Sequence, residues 1–179
     1  MDLTTQAPII VPAPPNTKFK YLAVQGGKDF RLRLINLDNM SGKGKPGQVG
    51  GEIGAIQTLP WQLQMTTSLA MWINPNDKSA WIFSPTYLGV SAWQVTADLS
   101  GTPQLVMKWK NDKPCTSPLV ANNVLYCAAF KNIWAFNPLT GAWLWGEYPI
   151  GDIHWESPIV VNGVLYITDE SGELTAYTI

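Results

Sequence analysis

The chain has 179 residues, of which 46% are hydrophobic and 14% are charged, and its formal net charge is −1. A balance this close to neutral provides no electrostatic surface for nucleic acid or for an anionic membrane. No apolar run approaches the roughly eighteen residues of a membrane span, and the first ten residues lack the basic start and apolar core of a secretory signal. Nine Trp and the apolar content are enough for a substantial buried core.

The first recognisable unit covers residues 7–42. It opens with an apolar run, turns over residues 12–17, and then alternates Phe, Leu and Leu with two Arg across residues 30–34. Alternation with a period of two indicates a strand with one buried face. Residues 67–101 form a second unit of the same kind, with a Pro-Asn-Asp turn at residues 75–77.

The third and fourth units nearly repeat one another. Within residues 115–141, positions 115–139 align without gaps to residues 155–179, at an offset of 40. Each unit has a Ser-Pro start, an apolar run, a two-residue turn (Asn122-Asn123 or Asn162-Gly163) and a second run with Val-Leu-Tyr. Asn and Gly tolerate the positive φ angles of a type I′ turn, so each unit is predicted to open as a tight antiparallel hairpin.

A period near 40 built of short strands is typical of sheets repeated around an axis. We therefore predict a single all-β segment over residues 1–179, with about fifteen strands in four antiparallel sheets and little or no helix. The four sheets are expected within residues 7–60, 61–110, 111–150 and 151–179. Loop lengths vary, because the unit starts are spaced by about 60, 49 and 40 residues.

Residues 135–145 carry a family resemblance. Asn137, the Thr140-Gly141 pair and Trp145, four residues after the glycine, resemble the tryptophan-docking repeat of quinoprotein-type (PQQ-like) β-propellers. The resemblance implies four-stranded blades, with Asn137, Thr140 and Gly141 forming a structural turn and Trp145 packing against a neighbouring blade. Asp38 with Ser41-Gly42 repeats the turn, whereas the turn at residues 98–101 is one residue shorter and is followed by a Trp only at position 109.

In such propellers, two kinds of loop gather on one face around the axis. The interblade connections are expected here at residues 64–66, 111–115 and 152–156, and the second turns of the blades at residues 26–29, 84–87, 131–132 and 169–172. Candidate binding residues on this axial face are Lys113, His154, Trp155 and Glu156. The alternatives are structural: inter-blade packing for Trp155, a solvated charge for Lys113 and a backbone hydrogen bond for His154.

The two cysteines are predicted to be buried thiols. If the Asn122-Asn123 turn sets the register, Cys127 lies opposite Pro118 and Cys115 opposite Phe130, which separates the two thiols by three residues, or on the order of 10 Å. That distance exceeds the reach of a disulfide. With one histidine in the chain, a Cys/His metal site is hardly available.

No motif in the sequence specifies a reaction. Residues 42–47 match G-x-G-x-x-G, but Pro46 and the following glycines favour a flexible loop over a dinucleotide-binding helix. Residues 169–173 lack the alternating ligands of a calcium loop. His154 has no recognisable nucleophile partner, and the adjacent cysteine pair that is common in quinoprotein dehydrogenases is not found.

Two functions remain open at this stage. The first is a non-catalytic propeller segment that acts as a protein-interaction or assembly scaffold, with another propeller segment or a second copy as its partner and with no cofactor. The alternative is part of a quinone-dependent oxidoreductase, with PQQ and calcium in a complete ring. Enzyme activity is uncertain, and the family resemblance implies a periplasmic or extracellular location.

The charge and the ends of the sequence motivate a further expectation. Residues 1–60 hold seven Lys/Arg against four Asp/Glu, and residues 61–179 hold five against nine, which is compatible with an oriented partner and equally with solvated loops. We expect the chain to be a segment of a longer polypeptide or half of a larger ring, with residues 1–6 added to a partner as a short strand. The main rival is a self-contained ring of four blades.

Overall fold

The computed structural model describes residues 6–40, 51–62, 67–147 and 150–179. Two tight turns shape the second half of the chain. Asn122 and Asn123 have φ angles of 50° and 60°, and Asn162 and Gly163 have φ angles of 50° and 77°. Positive φ at both central positions is what a type I′ turn requires, since its twist matches that of the flanking strands. The predicted tight hairpins are confirmed.

The described residues form fifteen strands in four antiparallel sheets, which we call blades 1 to 4. Blade 1 contains β1 (Ile9–Pro12), β2 (Tyr21–Gly26), β3 (Arg31–Asn36) and β4 (Glu52–Thr58). Blade 2 contains β5 (Ala70–Ile73), β6 (Ala80–Thr86), β7 (Gly89–Ala97) and β8 (Pro103–Lys110). Blade 3 contains β9 (Thr116–Ala121), β10 (Val124–Ala129), β11 (Asn132–Phe136) and β12 (Trp143–Glu147). Blade 4 contains β13 (Ile159–Val161), β14 (Val164–Thr168) and β15 (Leu174–Thr178).

The predicted all-β class is confirmed: the described ranges contain no α-helix, and their helical turns are two 3-10 segments, Leu37–Asn39 and Pro60–Gln62. In each sheet, strands that follow one another in sequence are hydrogen-bonded neighbours. The first strands β1, β5 and β9 pack against one another from blade to blade, and β4 packs against β8. The first strands of consecutive blades are therefore neighbours, which is the arrangement expected where the first strands lie nearest a common axis.

Buried hydrophobic side chains join the blades in pairs. One cluster lies between blades 1 and 2 around Leu22, Leu34 and Trp93, and a second lies between blades 2 and 3 around Phe83 and Leu125. A third joins blade 3 to blade 4 around Tyr126, Ile133 and Leu165. Among the described residues, no cluster contains side chains of both blade 4 and blade 1.

Each connection between blades forms a backbone hydrogen bond with the turn between the second and third strands of the blade that it leaves. The backbone N–H of Leu59 donates to Phe30, and that of Cys115 donates to Thr86, over 2.8 and 3.0 Å. In the third connection, the N–H of Phe130 donates to the carbonyl of Ile153 over 2.9 Å. Leu59, Cys115 and Ile153 are all buried. Each connection is thus anchored at the second turn of the blade that it leaves.

The prediction of two free thiols is wrong, because Cys115 and Cys127 form a disulfide. The register shifts between Tyr126, which pairs with Leu119, and Ala128, which pairs with Thr116. Two residues of β9 therefore oppose Cys127, and such a bulge bends the strand. Cys115 is drawn towards β10, and its Cα lies 5.0 Å from that of Cys127, within the range of a disulfide.

The gapless alignment of the third and fourth units holds through the first hairpin and fails at the second. Tyr126 pairs with Ala135 in blade 3, whereas Tyr166 pairs with Ala176 in blade 4. The offset between third strands is thus 41, because the hairpin after β14 is one residue longer. Equivalent positions beyond that turn must be assigned from strand pairing and not from the sequence repeat.

Asp-x-Ser turns recur in this fold at residues 77–79, 98–100 and 169–171. In each, the Ser hydroxyl donates to the Asp carboxylate over 2.6 or 2.7 Å, and the Ser backbone N–H donates to the same oxygen. The Ser hydroxyl bond is the main cause that lowers the pKa of all three Asp carboxyls. These carboxylates organise turns, which agrees with the structural interpretation of residues 169–173.

Some predictions fall outside the described residues. They concern the glycine-rich segment 42–47, the Ser41-Gly42 turn, the connection at residues 64–66, and the first five residues of the N-terminal arm. Gln6 is described and buried, and its side-chain amide donates to the backbone carbonyl of Thr67.

Candidate binding site at one end of the axis

Three of the loops predicted for the axial face, at residues 84–87, 152–156 and 169–172, line one cavity. Its volume is about 450 Å³, and it is lined by Tyr87, Phe130, Asp152, Ile153, His154 and Glu170. Tyr87 comes from the second turn of blade 2, Phe130 from that of blade 3, and Glu170 from that of blade 4. The interblade connection from blade 3 to blade 4 supplies the other three residues. One cavity therefore collects side chains from three blades.

Backbone hydrogen bonds hold these loops together. Phe130 and Ile153 form an isolated antiparallel bridge, and the N–H of Glu170 donates to the carbonyl of Asp152 over 2.9 Å. The N–H of Gly151 donates to the Asp169 carboxylate over 3.1 Å, close to the same place. The floor of the cavity is thus fixed by main-chain contacts and does not depend on exposed side chains.

Of the predicted axial residues, His154, Trp155 and Glu156 are brought together. The His154 ring stacks on that of Trp155, with 4.2 Å between centroids and 17° between planes. The Glu156 carboxylate accepts the backbone N–H groups of His154 and Trp155 over 2.7 and 3.0 Å. Desolvation opposes the effect, but these backbone hydrogen bonds outweigh it and lower the pKa of Glu156, which keeps the carboxylate charged.

The sequence left structural alternatives open for Trp155, inter-blade packing, and for His154, a backbone hydrogen bond. Trp155 is 55% exposed and stacks on His154, so it is not packed between blades. His154 Nδ1 lies 3.5 Å from a Glu170 carboxylate oxygen, which is its described polar neighbour. Lys113 is separate from this cluster: its Nζ lies 5.3 Å from the centroid of the Trp134 ring, and it does not line the cavity.

Phe130 is the member of the site that sequence reasoning missed. It has a φ angle of 53°, which bulky residues adopt rarely, and its side chain is 49% exposed. Its neighbours Lys131 and Asn132 were predicted to lie on this face. The signal that could have found Phe130 was its position, because an aromatic residue in a turn of the axial face can pack only against the other loops of that face.

The predicted docking turn is built from Asn137, Thr140 and Gly141. The Asn137 side-chain oxygen accepts the N–H groups of Leu139 and Thr140 over 2.9 and 3.2 Å, and the Gly141 N–H donates to the Asn137 carbonyl. Gly141 has a φ angle of 72°. A Cβ there would lie 2.7 Å from the ring of Trp109, so glycine is required both by conformation and by the close approach.

The tryptophan that sits on this turn comes from blade 2. The indole N–H of Trp109 donates to the Pro138 carbonyl over 3.0 Å, while the ring packs against Phe83 with centroids 5.8 Å apart. Trp145 occupies the same position in blade 3, beside a bulge in the last strand. It meets Tyr177 of blade 4 edge-on, with centroids 5.1 Å apart, and remains partly exposed.

The described ranges hold no group of three or more His, Cys, Asp or Glu side chains arranged to bind a metal ion. None of the helical segments in those ranges has the length and hydropathy of a membrane span.

Comparison with solved structures decides the fold. The computationally designed Ika4 protein superposes with a TM-score of 0.59 and 15% identity, over 100% of this chain and 99% of that protein. The fold is a β-propeller. BBS1N, solved in complex with ARL6DN, superposes with a TM-score of 0.57 and 13% identity over 96% of this chain, which spans about half (51%) of the BBS1N chain.

BamB from Moraxella catarrhalis also matches, with a TM-score of 0.38 and 15% identity, over 99% of this chain and 62% of BamB. No family model matches the sequence, and no curated protein matches it. At these identities the matches to Ika4 and BBS1N establish the fold alone and leave function to be argued from the chain itself.

Proposed function

We propose that this chain is a non-catalytic assembly module in which the outer faces of blades 1 and 4 bind a second copy of the chain. The proposal rests on the exposure of the axial strands at the two ends of the blade series. Ile10 in β1 is 59% exposed, and Ile159 and Val161 in β13 are 55% and 49% exposed. Large apolar side chains on a flat sheet face favour contact with another surface.

The repeat indicates what this face is made to contact. In blade 3, Tyr126 and Ala135 form a cross-strand pair, face blade 4, and are each 3% exposed. Tyr166 and Ala176 form the equivalent pair in blade 4, where Tyr166 is only partly buried and Ala176 is exposed. Blade 4 therefore carries the same residues that blade 3 uses to pack against the blade that follows it. This favours another blade as the partner of blade 4.

Blade 1 offers a matching face. The exposed Ile10 lies beside the fully buried Ala23, which lies beside the partly buried Ile35, across its first three strands. Val160, Leu165 and Tyr177 occupy the same cross-strand positions in blade 4, where they cover blade 3. In the proposed dimer, the outer face of blade 1 covers blade 4 of another copy in the way that blade 4 covers blade 3.

Charge favours the same pairing. Residues 7–60 hold seven Lys/Arg and three Asp/Glu, whereas residues 151–179 hold no Lys or Arg and five Asp/Glu. Blades 1 and 4 therefore carry opposite net charges, which attract across two copies and disfavour pairing of like ends. Two copies related by a two-fold axis make this contact twice and close a ring of eight blades.

A protein-binding role suits the fold, and BBS1N offers an example of a similar chain crystallised with a protein, ARL6DN. We place the module in an oxidising compartment, outside the cytoplasm. The Cys115–Cys127 disulfide supports that location, since cytosolic thiols are normally kept reduced.

The mass of the chain in solution tests the proposal. Sedimentation at increasing concentration is expected to give a dimer and a melting temperature that rises with concentration. Ile159→Asp, which places a charge on the outer face of blade 4, is expected to yield a folded monomer. Leu99→Asp is the matched control, because Leu99 is fully exposed in a turn of blade 2, and it is expected to leave the dimer intact.

Two outcomes would contradict the second-copy model. One is a monomer at micromolar concentration that melts cooperatively and keeps its melting temperature on dilution. The other is a dimer that Ile159→Asp leaves unchanged, since its interface would then lie elsewhere.

A further inference from the structure

The axial cavity combines two features that rarely coincide by packing alone, aromatic rings and carboxylates. Tyr87, Phe130 and His154 supply the rings, and Asp152 and Glu170 supply the carboxylates. No Lys or Arg of the described residues lines the cavity. The cavity lies within one copy, between blades 2, 3 and 4, so what it binds is independent of the ring assembly proposed above.

The three rings surround the cavity at different tilts. The Tyr87 and Phe130 centroids are 6.1 Å apart with 39° between planes, and the Tyr87 and His154 centroids are 6.2 Å apart with 64° between planes. Rings inclined in this way do not stack on one another, and all three line the same open cavity. The face of an aromatic ring attracts a cation electrostatically.

The carboxylates are held by weak partners in the free chain. Lys131 Nζ lies 3.8 Å from Asp152, and His154 Nδ1 lies 3.5 Å from Glu170. The two carboxylate side chains are 57% and 50% exposed. The Lys131–Asp152 ion pair is long and exposed and contributes little to stability, and the His154–Glu170 contact is equally exposed, so an entering cation can replace both at small cost.

The backbone fixes the loops that carry the rings and carboxylates before any ligand binds. Phe130 keeps its unfavourable φ angle of 53° because its backbone bridges to Ile153. The backbone hydrogen bond from Glu170 to Asp152 links the two acidic loops. Backbone strain retained at a cavity is a feature of sites in which geometry is set in advance.

We infer that this cavity binds an alkylated ammonium group. A quaternary ammonium carries no N–H donor and is weakly hydrated, so it gains from rings and from the apolar Ile153 without needing a shell of hydrogen-bond acceptors. Asp152 and Glu170 supply the opposite charge at longer range. The same head group occurs in free small molecules such as choline and in methylated lysine side chains of peptides.

Choline and its neutral carbon isostere, 3,3-dimethyl-1-butanol, test the inference directly, because they share shape and differ in charge. Titration calorimetry and amide chemical shifts of labelled protein are the measurements. Choline is expected to bind at least about tenfold more tightly and to shift the amides of Tyr87, Phe130 and His154. Equal or tighter binding of the neutral isostere, or no binding of choline at its highest usable concentration, would overturn the inference.

Variants assign the binding to these residues. Tyr87→Leu and Glu170→Gln are each expected to weaken choline binding about three- to fivefold. The matched controls are Tyr21→Leu, an exposed tyrosine on blade 1, and Glu173→Gln, in the same hairpin as Glu170 but outside the cavity lining. Thermal melting identifies any variant that fails to fold. If Tyr87→Leu is unstable, the test depends on Glu170→Gln, because the Glu170 side chain is half-exposed.

A peptide distinguishes the two sources of the head group. A short peptide with trimethyl-lysine is compared with the same peptide carrying unmodified lysine and with free choline. Tighter binding of the methylated peptide than of choline assigns the cavity to a peptide side chain, and the reverse order assigns it to a small molecule. Preference for unmodified lysine over trimethyl-lysine would overturn the assignment to an alkylated ammonium.

Discussion

The joint between blades 2 and 3 and the joint between blades 3 and 4 use the same strand positions with different results. At the first joint, the indole of Trp72 donates to Asn123 near the axis, and that of Trp109 donates to Pro138 at the outer edge. At the second, Trp145 packs edge-on against Tyr177 above a groove of about 540 Å³. Its indole makes no hydrogen bond to the described part of the chain.

The difference lies in what the following blade provides. Blade 3 offers Trp109 a turn with a glycine beneath the ring and a carbonyl at its edge, at Gly141 and Pro138. Blade 4, in its three described strands, offers Trp145 a tyrosine ring and no such turn. Docking is therefore a property of the pair of blades and not of the tryptophan motif alone.

Trp109→Ala should have the largest effect on this comparison. It removes the indole from Phe83 and Gly141 and leaves the Pro138 carbonyl without its donor, and we expect the free energy of unfolding to fall by about 3 to 4 kcal/mol. Denaturant titration measures it. Trp143→Ala, at a 61% exposed tryptophan of β12, is the control and should cost far less. Equal costs would show that the docking turn contributes nothing.

Loss of the disulfide should come next. Cys115 and Cys127 lie in the cluster between blades 2 and 3, and their bond closes a loop over 12 positions. Opening a loop of that size is expected to cost about 2 to 3 kcal/mol. Melting of the wild type with and without reductant, beside the Cys115→Ser/Cys127→Ser double variant, measures this. Reductant should not affect the variant, and a wild type insensitive to reduction would contradict the prediction.

Trp145→Ala should have a smaller effect than Trp109→Ala. Its sequence position alone predicts a loss of several kcal/mol if the ring is fully buried. Both rings are partly exposed, but Trp109 also donates to Pro138 and packs on Gly141, whereas Trp145 packs on Tyr177. We expect a loss of about 1 to 2 kcal/mol in the same titration. A loss equal to that of Trp109→Ala would mean that the second joint is as well packed as the first, and a loss below about 1 kcal/mol would remove Trp145 from the docking residues.

Acid should weaken the joint at blade 4 through Asp169. Hydrogen bonds from Ser171, Glu173 and Gly151 lower the pKa of this carboxyl in the folded chain, although burial opposes them. Because its pKa is lower in the folded chain than in the unfolded chain, the carboxylate contributes its full stabilisation at pH values above the unfolded pKa, which is near 4. That contribution is lost as the pH falls through the folded pKa. Below about pH 4, Asp169→Asn should reduce the dependence of the melting temperature on pH. Asp112→Asn is the control, because its side chain is exposed, and it should leave that dependence unchanged.

Much of the fold could be predicted from local patterns. Asn122-Asn123 and Asn162-Gly163 predicted their turns because the φ angles that a type I′ hairpin demands are tolerated by few residues. The disulfide could not be predicted, because one bulge beside Cys127 changes the register and nothing in residues 115–127 marks the bulge in advance. The axial face was predicted at the level of loops, whereas the cavity formed by Tyr87, Phe130 and Glu170 was not.

The sequence by itself determined the strands, their grouping into blades and the turns between them, since each depends on residues within about 40 positions of one another. The tertiary structure decided which tryptophan is docked, which cysteines are joined, and which blade faces are left exposed. The physical reason is that these outcomes depend on the distance between side chains of different strands or blades. A shift of one residue in register or one residue in hairpin length changes such distances while leaving the local pattern intact.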